Sequence, residues 1–200
     1  MVRISCVVEG IIDEHVAKKL IIYSGGEPGP VYGKCGKSHI RSKIAGYCNA
    51  SKFYPWLIIV DLNNEAECAP ELRRNWNVPS LPLLGFCVAV REVEAWLLAD
   101  RENIANFINI PIVKINYEPE KLQDPKEEII RLARSSRRKD IREDIIPRPG
   151  SGICIGPAYS SRMIEFINEK WNIEEASKNS PSLKRAIQCL KHIVNYCHIP

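Results

Sequence analysis

The stretch Arg3-Ile-Ser-Cys-Val-Val-Glu-Gly-Ile-Ile-Asp13 decides the fold of this chain. Its apolar run is typical of a buried strand. The run stops at Glu9-Gly10, and a helical pattern begins at Asp13. The stretch Trp56-Leu-Ile-Ile-Val-Asp-Leu-Asn-Asn64 repeats the design. As parallel neighbours, the two strands would bring Glu9 and Asp61 to one edge of one sheet, where open α/β sheets bind their ligands.

Composition is that of an ordinary globular protein, with 45% hydrophobic and 26% charged residues. A chain of 200 residues can bury a sizeable core without disulfides. The net charge of +4 neither requires nor excludes a nucleic-acid partner, because a basic surface can be local.

Cysteine usage and hydropathy favour a reduced, cytoplasmic protein. None of the eight cysteines is spaced C-x-x-C, so no zinc site is expected. Cys6 and Cys87 lie in apolar strand patterns, where cysteine behaves as a small hydrophobic residue. No signal-peptide pattern is present, and the apolar runs are too short to cross a bilayer.

Strands and helices alternate up to about residue 110. Strands are expected at Arg3–Val8, Val31-Tyr32, Leu57–Val60 and Phe86–Val90, which predicts a four-stranded, mostly parallel sheet covered by helices on both faces. Beyond residue 111 the pattern changes to helices and loops, so we predict a domain at 1–110 and a helical extension at 111–200 packed on it. Helices are expected over 13–23, 38–52, 65–76, 92–108, 160–171, from 124 into 134–139, and from 180 onward.

Polar oxygens follow two of these strands. Glu9 could bind a metal or move a proton, Asp61 could bind a metal, and Asn63 could add a neutral oxygen, since hard cations such as Mg²⁺ prefer oxygen ligands. The residues alone leave a second interpretation open, in which all three only cap strand ends and satisfy loop backbone.

These motifs resemble a known family. Val8-Glu-Gly10 after the first strand and Asp61-Leu-Asn63 after the third resemble the Toprim domain of topoisomerases, primases and OLD-family nucleases. A closer resemblance covers nearly the whole chain and is carried by Glu94-Ala-Trp-Leu-Leu-Ala-Asp100, Gly156-Pro-Ala-Tyr159 and Ser180-Pro-Ser182. These stretches resemble small prokaryotic Toprim-like proteins of undefined function, which are related to RloB-like proteins and often linked with ATPases in phage defence.

The resemblance implies a three-layer α/β/α Toprim-like fold, Glu9 as general acid/base or metal ligand, and Asp61 as a ligand of Mg²⁺ or Mn²⁺. Asn63 stands where the family usually has a second aspartate. This departure should weaken metal binding and puts two-metal chemistry in doubt. Glu94, inside the resembling motif, is a further metal candidate. Glu65 could restore the missing charge, although a solvated helix face is its more ordinary place.

Basic residues suggest contacts with phosphate. Gly33-Lys-Cys-Gly-Lys-Ser38 lacks the first glycine of a Walker A loop, because Val31 occupies that position. Lys34, Lys37 and the loop N–H groups could still contact a phosphate, and a plain flexible loop is the alternative. Four arginines are spaced to share much of one helix face, which would suit a phosphate backbone or simply solvent: Arg134, Arg137, Arg138 and Arg142.

The leading hypothesis is a Mg²⁺-dependent Toprim-like nuclease that cleaves DNA or RNA, with a possible partner ATPase. Asp61 and Asn63, with Glu94 as a further candidate, would hold the ion, and Glu9 would transfer the proton. The alternative is a non-catalytic subunit that binds nucleic acid or a partner protein. The asparagine at position 63 favours this alternative. A receiver-like phospho-acceptor at Asp61 is a third hypothesis, and the long C-terminal half argues against it.

Overall fold

Four strands form one all-parallel sheet in the order β2-β1-β3-β4. The computed structural model describes residues 1–150 and 152–198. The strands are β1 (Val2–Val8), β2 (Gly26–Gly33), β3 (Trp56–Asp61) and β4 (Leu84–Ala89). Helices flank the sheet, so the predicted three-layer α/β/α class with a four-stranded sheet is confirmed.

Helices fill the intervals between the strands and most of the remaining chain. Two short 3₁₀ turns lie at Ile112–Lys114 and Pro119–Lys121. The α-helices are α1 (Ile11–Tyr23), α2 (Lys37–Ala50), α3 (Ala69–Asn75), α4 (Val93–Leu98), α5 (Arg101–Ile108), α6 (Pro125–Arg134), α7 (Lys139–Ile145), α8 (Tyr159–Glu169), α9 (Ile173–Asn179) and α10 (Pro181–Tyr196). None of the helices described is long and apolar enough to span a membrane.

The inner strands are buried on both faces, as parallel sheets require. Every residue of β4, and every residue of β3 before Asp61, is buried. On one face, Ile40 of α2 and Leu72 of α3 pack into a cluster with Ile58 and other strand residues. On the other face, α1 packs on β1 and α10 packs on β4.

The predicted helix over 92–108 is wrong in one respect, because it is two helices. Asp100 lies between α4 and α5, and its buried carboxylate accepts the backbone N–H of Asn172 at 2.6 Å and the side-chain amide of Asn103 at 3.0 Å. Burial is the main cause that raises the pKa of Asp100.

The chain packs into two compact units. One comprises Met1–Val93 together with the segment that begins at Pro181, and the other comprises Glu94–Ser180. Within the first unit, α10 packs on β4 and on α1. The division at residue 110 stays a prediction. The second unit has its own core, in which the indole N–H of Trp171 donates to the carbonyl of Trp96 at 3.2 Å.

Candidate functional site

The strand order creates a switch point between β1 and β3. The chain leaves β1 to form β2 on one side and then β3 on the other, so the carboxyl ends of β1 and β3 border a crevice where ligands bind in open α/β sheets. Glu9 directly follows β1, and Asp61 is the last residue of β3. The Glu9 carboxylate accepts the backbone N–H of Asp61 at 2.8 Å. The structure therefore brings together the two acidic residues that the sequence placed at this edge.

Glu9 is half-buried in a mixed electrostatic environment. Burial is the largest influence and raises the pKa of its carboxyl above the ordinary value. The hydrogen bond from Asp61 opposes this rise, nearby Asp13 adds to it, Lys37 opposes it and Glu65 adds to it. A carboxyl whose pKa is raised above its ordinary value holds a proton more readily, which favours a role in proton transfer.

Asp61 is fixed through its side chain and its main chain. One carboxylate oxygen accepts the N–H of Val93, the first residue of α4, at 3.0 Å. The Asp61 carbonyl accepts the ammonium of Lys37 at 2.6 Å. One oxygen of the Asp61 carboxylate therefore satisfies the first backbone N–H of α4.

Lys37 begins α2 and places its ammonium within the site. Besides the Asp61 carbonyl, it contacts the Leu62 carbonyl at 3.3 Å and the Glu65 carboxylate at 2.8 Å. Its side chain is only 15% exposed, and its nitrogen lies 5.9 Å from the centre of the Trp76 ring. Lys37 therefore holds the end of β3 to α2, a role that the phosphate-contact prediction did not include.

Glu65 belongs to this cluster, although the sequence analysis assigned it to a solvated helix face. That assignment is wrong, because α3 starts only at Ala69 and Glu65 lies in the preceding loop. Its carboxylate accepts the indole N–H of Trp76 at 2.7 Å and contacts Arg41 at 3.2 Å. Burial works against ionisation here, but the hydrogen bonds from Lys37 and Trp76 lower the pKa of Glu65. The carboxylate neutralises Lys37 and does not replace the missing aspartate.

Asn63 occupies a left-handed backbone conformation with φ of 48°. Asparagine tolerates this region better than most residues. Its N–H donates to the carbonyl of Arg91 at 3.0 Å, and the Arg91 guanidinium donates to the side-chain oxygen of Asn64 at 2.8 Å. These contacts tie the loop after β3 to the loop after β4. The backbone conformation and these contacts explain an asparagine at position 63 without a metal ion.

The loop between β2 and α2 does not form the predicted phosphate cradle in full. The N–H of Lys34 donates to the Val8 carbonyl at 2.8 Å, and the N–H of Gly36 donates to the Glu9 carbonyl at 3.1 Å. The Lys34 ammonium lies 3.1 Å from the carboxylate of Glu14. Two loop N–H groups and one lysine are thereby engaged within the protein.

Glu94 lies in the second unit and is almost fully buried. One carboxylate oxygen accepts the hydroxyl of Tyr159 at 3.2 Å and lies 3.6 Å from the ammonium of Lys126. These partners account for a buried carboxylate without a metal. The metal role of Glu94 stays a prediction.

The basic stretch of the second unit is divided between two helices. The prediction that its arginines share one helix face is wrong, because α6 ends at Arg134 and α7 begins at Lys139. Arg138 pairs with Asp140, and Arg142 donates to the Ser136 carbonyl. Arg134 and Arg137 are exposed, so within this stretch they are the predicted nucleic-acid ligands that face solvent.

The two residues at this sheet edge carry the oxygen donors that hard cations prefer. Glu9 and Asp61 supply carboxylate oxygens, and Mg²⁺ commonly uses one or two carboxylates with water and substrate phosphate. Among residues 1–150 and 152–198, no three His, Cys, Asp or Glu side chains are arranged to hold a metal ion. A second ion would need the charge that Asn63 lacks.

Comparison with protein-family models, with curated proteins and with solved structures gives no match. The site must therefore be interpreted from its own geometry.

Proposed function

We propose that this protein is a Mg²⁺-dependent phosphodiesterase that cleaves DNA or RNA. The observation that carries the proposal is the hydrogen-bonded pair of Glu9 and Asp61 at the switch point of the sheet, with the pKa of Glu9 raised. Open α/β sheets bind their ligands at such a switch point, and a carboxyl with a raised pKa can transfer protons. Both facts favour this assignment.

The residues of the first unit have separate roles in this proposal. Asp61 and the Asn63 carboxamide would hold a single Mg²⁺ ion, which when bound would polarise a phosphate oxygen and acidify water. Glu9 holds or removes a proton at the carboxylate oxygen that does not accept the Asp61 N–H. Lys37 keeps the end of β3 in place, so that Glu9 and Asp61 stay in register.

The resemblance of Val8-Glu-Gly10 and Asp61-Leu-Asn63 to Toprim motifs supports the same assignment. It also supports a partner ATPase and a setting in phage defence as part of the proposal. The exposed Arg134 and Arg137 are candidates for contact with nucleic-acid phosphates.

A second candidate is a non-catalytic subunit that binds nucleic acid or a partner protein. The specific observation in its favour concerns Asn63 and Arg91, which both have left-handed backbone conformations and join two loops through a backbone hydrogen bond. The residue that stands in place of the second aspartate therefore has a structural role in the loop. Such a subunit would keep the fold and lose the metal.

A cleavage assay distinguishes the two candidates. Purified protein is incubated with single- and double-stranded DNA and RNA, with Mg²⁺ or Mn²⁺, beside Glu9→Gln and Asp61→Ala. Glu27→Gln on β2 is the matched control, because it removes an exposed carboxylate and should keep full activity. The nuclease proposal expects cleavage to fall by at least about a hundredfold in both site variants. Wild-type protein that binds nucleic acid but cleaves none of these substrates with either metal would favour the second candidate.

A further inference from the structure

Two thiols of the first unit meet where α10 packs on β4. Gly85 and Cys87 point to the same side of β4, because alternate residues of a strand share a face. A methyl group at Gly85 would lie 3.3 Å from the sulfur of Cys189 on α10. Glycine at this position therefore lets the helix bring Cys189 close to the strand. Cys87 and Cys189 both line the cavity where α3, β4 and α10 meet.

The two thiols are electronically unequal. The hydrogen bond from Cys87 lowers the pKa of the Cys189 thiol, burial opposes this, and the nearby Arg73 guanidinium lowers it further. The hydrogen bond with Cys189 and burial raise the pKa of Cys87. Arg73 is held in place by donating to the carbonyls of Val78 and Pro79. Cys189 is partly exposed whereas Cys87 is buried, so Cys189 is the thiol that a small oxidant reaches first. The lowered pKa of Cys189 agrees with this order, since the thiolate is the reactive form.

A cavity gives small molecules access to the pair. A space of about 340 Å³ is lined by both cysteines together with Arg73 and Arg185. A neighbouring space of about 440 Å³ shares Arg73 and Cys189 with the first. A water-sized molecule occupies about 30 Å³, so a peroxide fits easily beside the sulfur.

We propose that Cys189 and Cys87 form a redox-active dithiol whose oxidant is a small peroxide. The Cys189 thiolate attacks one peroxide oxygen, the O–O bond breaks, and Cys189 becomes a sulfenic acid as the other oxygen leaves as water. The Cys87 sulfur then attacks the sulfenic sulfur and expels a second water. Both sulfurs are oxidised to one disulfide, the peroxide is reduced to two waters, and a dithiol reductant reverses the change.

The disulfide would join β4 covalently to α10. Every residue of the second unit lies between the two cysteines in sequence. Oxidation would therefore close a covalent loop of the chain that contains all of these residues. Such a crosslink raises the unfolding temperature by restricting the unfolded chain. This inference does not depend on the nuclease proposal, because it concerns other residues and another chemistry.

The test is peptide mapping of the full-length protein after treatment with an equal amount of hydrogen peroxide. Remaining thiols are blocked by alkylation before digestion. The expected result is a Cys87–Cys189 linked peptide as the main oxidised product, absent after reduction, together with a higher unfolding temperature of the oxidised protein. Oxidation that falls mainly on the exposed thiols Cys35, Cys68 and Cys154, with no such linked peptide, would overturn the proposal.

Single substitutions test the assigned roles. In Cys87→Ser, a sulfenic acid at Cys189 should accumulate and be trapped by a 1,3-diketone. In Cys189→Ser, Cys87 should stay reduced under the same treatment. Cys48→Ser removes a buried thiol of α2 and should leave the crosslink unchanged. Equal oxidation of Cys87 with and without Cys189 would contradict the assignment of Cys189 as the nucleophile, and the wild-type crosslink is measured independently of any variant.

Discussion

At the scale of single residues, the pKa values of Glu9 and Glu65 are shifted in opposite directions. Burial raises the pKa of Glu9, whereas hydrogen bonds from Lys37 and Trp76 overcome burial and lower the pKa of Glu65. Ionised Glu9 therefore costs folding free energy at neutral pH, and ionised Glu65 contributes it. Under the proposed function, the ionised form of Glu9 would lower stability in exchange for proton transfer.

Glu9→Gln should stabilise the protein at neutral pH. Because the folded-state pKa of Glu9 is above the unfolded value, its contribution to stability is present below the unfolded pKa and is lost as the pH rises through the folded pKa. Glutamine cannot ionise, and its side-chain oxygen can still accept the Asp61 N–H. We expect a gain of up to about 1 kcal/mol at about pH 7.5 and no gain at about pH 4, measured by urea unfolding.

The control for this prediction is Glu27→Gln, which removes an exposed carboxylate and should change the free energy of unfolding by less than about 0.5 kcal/mol at either pH. A loss of stability for Glu9→Gln at neutral pH, without a loss for Glu27→Gln, would mean that ionised Glu9 is stabilised by its neighbours and is not poised for proton transfer.

Part of the site could be predicted from sequence and part could not. Glu9 and Asp61 are predictable because each ends a strand, and parallel neighbours end at the same edge. The contact of Lys37 with Glu65 spans 28 residues and depends on the path of the loop after β3. No periodic pattern encodes such a path. Spacing also could not show that the N–H groups of Lys34 and Gly36 donate to the carbonyls of Val8 and Glu9.

At the scale of elements, the end of β2 depends on one glycine. Gly33 has φ of 87°, and a methyl group there would lie 2.4 Å from the Val8 carbonyl oxygen. Gly46 in α2 has no neighbouring atom within 4 Å of such a methyl group. The same substitution should therefore have opposite effects at the two positions.

We expect Gly33→Ala to lower the free energy of unfolding by at least about 2 kcal/mol, because it combines backbone strain with a collision against main chain. Gly46→Ala should raise it by about 0.5 to 1 kcal/mol, since alanine is the better helix former. Urea unfolding of both variants measures the difference. Equal effects in the same direction would show that neither the turn after β2 nor helix propensity decides the result.

Helix boundaries in the second unit explain why the basic stretch was mispredicted. Arginine spacing suggested one face, but the chain turns after Arg134, where the Ser136 hydroxyl donates to the Ile108 carbonyl. That tertiary contact ends α6, and helical periodicity carries no information about it. The turn leaves Arg134 and Arg137 exposed, whereas Arg138 and Arg142 bond within the turn and α7.

Charge reversal at Arg134 and Arg137 tests whether this turn contacts nucleic acid. If each contacts one phosphate, Arg134→Glu with Arg137→Glu should reduce the slope of log binding constant against log salt by about 2. Anisotropy of a labelled oligonucleotide measures the slope. The control, Lys170→Glu with Lys184→Glu, makes the same charge change at other exposed positions and should lower affinity much less. Equal losses in both double variants would indicate only a general effect of net charge.

At the scale of the whole molecule, α10 completes the first unit. The alternation of strands and helices predicted the α/β class because buried parallel strands are continuous apolar runs. The sequence predicted that the C-terminal extension packs on the α/β domain, but it did not show that α10 packs on β4, because an amphipathic pattern does not identify the partner of a helix. Leu183, Leu190 and Ile193 are buried, and α10 packs on β4.

The final prediction concerns which parts of the chain can fold alone. The N–H of Val90 lies 3.4 Å from the hydroxyl of Ser182, so the two ends of the first unit are close together. A Gly/Ser linker of about eight residues spans about 16 Å on average and should connect Val93 to Pro181 in place of Glu94–Ser180. We expect this linked chain to unfold cooperatively in urea, followed by the fluorescence of Trp56 and Trp76. A chain ending at residue 110 lacks α10, exposes the Cys87 face of β4 and should aggregate or unfold without a cooperative transition. Cooperative unfolding of the shorter chain with the wild-type midpoint would show that the first unit ends before α10 and that the helix is an accessory to the sheet.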